Sequence, residues 1–218
     1  MRKYLIDTEI RKTIIVKMVT FSVLLSIGLA LLINPLGINL MPLNITVSSF
    51  FTFASKVISL SAIIFTVVDF IFKKYLWKIN LIKKFHKVPD LNGKWEGQFI
   101  SSFIDENTGK GKIGSCEMTV KQDWDKIHFK CKFNETYSNS INVSFNLNSI
   151  GGVSISFDYE NSGSKENLNA KAHLGFNMLK YLEDEDTLDG IYFTDMNRKS
   201  QGTLNVRRLI NNQSVQEA

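Results

Sequence analysis

At 218 residues, 44% hydrophobic and a formal net charge of +5, the chain is sized for one ordinary domain plus an appendage. The positive balance does not mark a nucleic-acid partner: residues 1–17 carry +3 and residues 73–87 carry +6, whereas residues 88–218 hold 14 basic against 18 acidic side chains, which argues against both DNA and RNA. Two cysteines and three scattered histidines (His86, His128, His173) exclude a disulfide-rich secreted scaffold and a metal centre of closely spaced ligands.

The first element is an apolar run. Residues 18–55 contain no ionisable side chain, and counting from Ile14, with Lys17 snorkelling, gives the ~20 residues that cross a bilayer core. It is too long for a cleaved secretory signal, and a second run at residues 47–72 follows it. Between them "NPLGINLMPLN" (34–44), with two prolines, one glycine and no charge, predicts a short hairpin that returns the chain to its starting side. Arg2, Lys3, Arg11, Lys12 and Lys17 precede the first run, and six lysines without an acid follow the second over residues 73–87. The positive-inside rule therefore puts both chain ends in the cytoplasm. Residues 1–72 read as a tail plus a transmembrane helix pair, and residues 73–87 as a polybasic linker that gains ~1 kcal/mol per basic residue near anionic lipids. Tyr75 and Trp77 suit the headgroup layer.

Within the second run, Lys56 and Asp69 are ionisable groups where charge is costly, and so candidates for function. Ser55, Ser59 and Ala62 form a small-residue stripe that lets helices approach closely. Together they predict a helix that meets other copies of itself, in a protein whose partners include membrane lipids.

After Pro89 the period changes from helix to strand. Residues 93–103, 113–122, 126–133, 141–148, 153–160, 167–178, 188–195 and 202–209 read as strands separated by Gly/Asn/Asp turns. Ile127, Phe129, Cys131 and Phe133 alternate with His128, Lys130 and Lys132. Closure removes both edges of such a meander, so the fold class is two transmembrane helices followed by an all-β, antiparallel up-and-down barrel of about eight strands over residues 88–210, with a tail at 211–218. Cys116 and Cys131 fall on neighbouring strands and are expected to lie across a hairpin as reduced thiols.

No Ser-His-Asp or Cys-His grouping emerges, "NTGKGK" (107–112) lacks the spacing of a phosphate loop, and "EDED" (183–186) lacks further ligands for a cation. A non-enzyme without cofactor or metal is expected. The polar pocket candidates lie in "GIYFTDMNRKSQG" (190–202): Tyr192 and Thr194 share a strand face, and Asn197 and Arg198 follow at the rim. Arginine forms bidentate bonds to phosphate and aromatic rings stack on bases.

This arrangement of two spans, a lysine-rich link, "PDLNGKWEGQF" opening a β-rich domain and "DGIYFTDMNRKSQGTLNV" near its end resembles the two-transmembrane, β-strand-rich effectors of CBASS antiphage signalling. The resemblance implies a bacterial inner-membrane effector whose cytoplasmic barrel binds a cyclic dinucleotide made by a partner nucleotidyltransferase. Its helices would then oligomerise, disrupt the membrane and kill the cell. Gly93-Lys94-Trp95 by itself also fits a lipocalin-like barrel, so a membrane-tethered small-molecule carrier and a non-catalytic interaction scaffold stay open as alternatives.

Overall fold

The computed structural model describes residues 1–6, 8–33, 46–104, 108–134, 136–164 and 171–209. The hairpin expected at 34–44, the tail at 211–218 and part of the turn at 105–111 lie outside them. The chain divides into two compact units, Thr8–His86 and Met1–Asp7 with Lys87–Ala218.

The first unit is helical. α1 (Thr8–Ile33) and α2 (Val47–Lys74) contain no proline and are predominantly apolar, with mean hydropathies of 2.3 and 1.9 over 18-residue stretches within Glu9–Leu32 and Phe50–Lys74. Helices of this kind satisfy their own backbone groups, the condition for crossing lipid. The buried positions of α1 recur every four residues as Ile14, Met18, Ser22, Ser26 and Ala30, and Ser26 Oγ meets Ser61 Oγ of α2 at 2.7 Å. Both serines also bond to their own helix, Ser26 to the Val23 carbonyl and Ser61 to that of Val57. The segment expected as a linker is itself helical: a 3-10 turn at Leu76–Lys78 leads into α3 (Asn80–His86). Trp77, expected among headgroups, is fully buried. Its carbonyl is 2.9 Å from His86 Nε2, and the two rings are 6.5 Å apart. Tyr75 is exposed.

The second unit is a closed barrel. β2 (Gly93–Ile104), β3 (Gly111–Gln122), β4 (Lys126–Phe133), β5 (Thr136–Asn146), β6 (Val153–Asn161), β7 (His173–Leu182), β8 (Thr187–Thr194) and β9 (Gln201–Arg208) each pair antiparallel with the next, and β9 returns to β2. The register of β3 against β4 sets Cys116 opposite Phe133 and Met118 opposite Cys131. The cysteines are thus diagonal neighbours rather than a facing pair; both are free and buried, and burial pushes the Cys116 thiol up to about 12.

One end of the barrel is packed solid. Leu91, Trp95, Ile127, Ile155, Leu188 and Val206 are among its fully enclosed side chains. Trp95 Nε1 donates to the Leu91 carbonyl at 3.1 Å, and the Arg208 guanidinium lies 4.5 Å from the indole centroid. Arg208 also donates to the carbonyls of Asn92 at 2.8 Å and Asp90 at 2.7 Å, and pairs with Asp186 at 2.9 Å. The Gly-x-Trp-x-Gly motif is therefore the seal of the closed end. Truncating a tryptophan so buried costs ~3–5 kcal/mol.

An element absent from the sequence reading completes this end. β4 and β5 pair only over Lys130–Phe133 and Thr136–Asn139, and a register shift in β5 between Ser140 and Val143 turns it aside. The gap is filled by residues 2–6. β1 (Arg2–Lys3) pairs antiparallel with Ile127 and Lys126, and Leu5 makes two 2.9 Å backbone bonds to Val143 and Phe145.

Candidate functional site

At the end away from Trp95 the barrel interior is open, and a cleft of about 240 Å³ forms there. Its walls come from one rim: the carboxyl ends of β2, β4, β6 and β8 and the amino ends of the strands that answer them. Phe99, Phe133, Tyr159 and Tyr192 supply aromatic surface. Phe99 stands edge-on to Phe133 at 5.5 Å and to Tyr192 at 6.4 Å.

The rings have room because glycine lies beneath them. A β-carbon on Gly114 would overlap Phe99, one on Gly175 would overlap Tyr159, and one on Gly202 would come within 2.8 Å of Tyr192. Tyr159 is further braced edge-on by His173 at 6.3 Å. Burial raises its phenol far above the ordinary value, with Tyr192 next in effect, so it remains a protonated donor.

Lys112, Lys171 and Arg198 bring three cations to the same rim, and no carboxylate lines the cleft among the described residues. The Arg198 guanidinium lies 5.6 Å from the Phe103 ring centroid, which orients it by cation–π attraction. Neutral hydrogen-bonding groups fill the spaces between. Asn161 Nδ2 donates to Ser138 Oγ at 2.9 Å and to Thr136 Oγ1 at 3.1 Å. Thr194 Oγ1 accepts from the Ser200 amide at 2.7 Å and donates to the Ser200 carbonyl at 2.9 Å. Aromatic faces, cations and neutral donors together suit a ligand that is both anionic and ringed.

Of the residues singled out from sequence, Tyr192, Thr194 and Arg198 line this cleft. Asn197 does not; it is exposed and turned back on Asp195, its amide 3.0 Å from Oδ1 and its Nδ2 3.3 Å from Oδ2. Ser55, Lys56, Ser59 and Ala62 are exposed on α2, and Asp69 pairs with Lys73 at 2.8 Å. Sequence reasoning missed Phe99, Lys112, Phe133, Tyr159, Lys171 and His173. Apart from Lys171, which precedes β7, each is an inward position of a strand on one rim, so a register drawn for the whole meander is the signal that finds them.

The family model of the Cap15 cyclic dinucleotide receptor domain matches residues 86–208. The chain belongs to this family. The match encloses β2 through β9 and ends on Arg208, the residue that seals the base; residues 1–6 lie outside it. CD-NTase-associated protein 15 of Yersinia aleksiciae is 27% identical over 138 residues, covering 63% of this chain and 64% of the relative. The chain therefore spans less than two thirds of that Cap15 relative's length. The family match thus identifies the barrel as a Cap15-type cyclic dinucleotide receptor domain, and two candidate membrane spans precede it in the chain.

Proposed function

We propose that the open-end cleft binds a cyclic dinucleotide and that binding drives the transmembrane helices of several copies together, breaching the bacterial inner membrane and ending in cell death. The carrying observation is the meeting of four aromatic rings and three cations in a single cleft that no carboxylate lines among the described residues. Tyr159 and Tyr192 are the base-stacking surfaces, Arg198, Lys112 and Lys171 the phosphate partners, and Thr136, Asn161 and Ser200 the polar groups within reach of base and sugar. A lipocalin-like carrier requires an apolar pocket, which this rim does not offer.

Connectivity and charge support an orientation with both chain ends in the cytoplasm. Residues 2–6 and 88–208 build one barrel, and the two spans lie between them in the chain. An even number of crossings returns the chain to its starting side, and the basic flanks assign that side to the cytoplasm. Assembly rests on α2. Ser61 is used by α1, while Ser55, Ser59 and Ala62 remain exposed and allow a close approach to another helix.

Isothermal titration of the detergent-solubilised chain with cyclic di-AMP, cyclic di-GMP, cyclic GMP–AMP and cyclic di-UMP tests the reading. Saturable heat with at least one is expected; no heat and no thermal shift with any of them refutes it.

A further inference from the structure

The β4–β5 seam is a single line of contact with a different occupant at each end. At the open end its ladder carries Phe133 and Thr136 into the cleft. At the closed end the two strands part, and Ser140 Oγ accepts from the Phe129 amide at 3.0 Å where a strand-to-strand bond would otherwise stand. The opening takes residues 2–6 as an added strand, the β-augmentation mode of peptide recognition. Backbone bonds from Leu5 hold the peptide, and Tyr4 and Ile6 are buried at 3% and 6% exposure. The Tyr4 ring sits 5.0 Å from that of Phe145, and its hydroxyl reaches the Asp123 carbonyl at 3.4 Å. Asp7 alone separates this strap from the first residue of α1.

We propose that the seam is a binding site for the chain's own residues 2–6, that the seated strap restrains α1 at rest, and that filling the cleft at the other end of the seam releases it. The strap is short, engages by one bridge and one two-residue pairing, and so belongs to the low-stability end of the fold, where switching elements are drawn from. Ligand contacts to Phe133 and Thr136 act on the same two strands whose separation the strap needs. Release would free the start of α1 to follow helix association. The coupling to ligand rests on the proposed reading of the cleft; the restraint itself does not.

Lys3 and Lys126 are exposed register partners, so the Lys3→Cys/Lys126→Cys variant can lock the strap, and the buried native thiols leave the new pair to react alone. Leu5→Cys/Ser144→Cys offers a second lock across the parallel bridge. Leu5→Pro removes the donor to the Val143 carbonyl and unseats the strap. The full chain in dye-loaded vesicles of phosphatidylethanolamine and phosphatidylglycerol is the assay. Ligand-free leakage from Leu5→Pro is expected to exceed that of the parent at least fivefold. Both locked variants are expected to stay at background when saturated with the cyclic dinucleotide that the parent binds best, and to recover on reduction. Parent-like ligand-free leakage from Leu5→Pro overturns the restraint, as does failure of both pairs to cross-link at rest. Equal ligand-triggered leakage from oxidised and reduced forms overturns the release. If the parent binds no cyclic dinucleotide the proposed function fails together with the release, while the Leu5→Pro result still decides the restraint.

Discussion

In the proposed binding mode Tyr192 and Arg198 carry different halves of the ligand. The Tyr192 ring is seated on Gly202 and braced by Phe99, so Tyr192→Ala removes a stacking face and is expected to cost ~1–3 kcal/mol of affinity. Arg198→Ala removes the proposed phosphate partner, a charged hydrogen bond expected to be worth ~1.5–3 kcal/mol. Titration calorimetry measures both, and unchanged melting temperatures separate them from misfolding. Parent affinity in both variants would move the ligand away from this wall. His128, on the seam that holds the strap, supplies a pH signature. Burial holds its pKa below the usual 6.5, aided by the Met1 ammonium, Lys121 and Lys130 and opposed by a hydrogen bond with Asn139. The unfolded chain therefore takes up the proton more readily. The stability from neutral His128 is present above about pH 6.5 and drains away as pH falls below it. Melts between about pH 7.5 and 5 should show a shallower loss for His128→Gln than for the parent; identical slopes would assign the loss to another group.

Elements divide into those the sequence announces and those it conceals. Ser59 lies exposed on α2, away from the Ser26–Ser61 contact. Ser59→Leu is expected to leave cyclic dinucleotide affinity unchanged while reducing ligand-induced higher-order species in membrane cross-linking; undiminished assembly would shift the contact to another face. The spans were legible because lipid demands an unbroken apolar run, and β4 because Ile127, Phe129 and Cys131 alternate with charged neighbours. The start of β5 was not. Residues 136–140 read as turn material, yet Ser138 and Ser140 point inward and are buried, because the interior beside the cleft and the seam is polar. The strand expected at 167–178 is described from Lys171 onward, and its ladder begins at His173; residues 167–170 lie outside the described residues. The strap left no periodic trace, since five residues are too few to show one and their partners lie more than a hundred residues away.

At the scale of the whole molecule, the proposed orientation with both chain ends in the cytoplasm has a direct test. Alkaline phosphatase fused after Ala218 is expected to be inactive in cells, and green fluorescent protein at the same point to fluoresce; phosphatase activity would reverse the topology. The legible part of the candidate site was the stretch nearest the family motif, Tyr192 to Arg198. The remaining walls come from strands distant in sequence that only closure brings to one rim. Asn197 shows the limit of reading chemistry from residue type: its amide is suited to a ligand, but the Asp195 beside it claims that amide for a turn.

The pairing of β2 with β9, running from Trp95 opposite Arg208 to Ser101 opposite Gly202, also fixes an order of events during synthesis. The cleft needs side chains from Phe99 to Ser200, and its wall is not held shut until β9 emerges, whereas both apolar helices leave the ribosome far earlier. Domains form from the amino end as the chain is made, so under the proposed function anchoring precedes sensing, and a nascent copy in the membrane has no finished receptor through which to respond. Removing β9 should freeze the protein at that stage. A chain ending before Gln201 is expected to reach the membrane fraction, bind no cyclic dinucleotide and aggregate through the exposed edges of β2 and β8; retained binding would mean that the cleft does not require the closing strand.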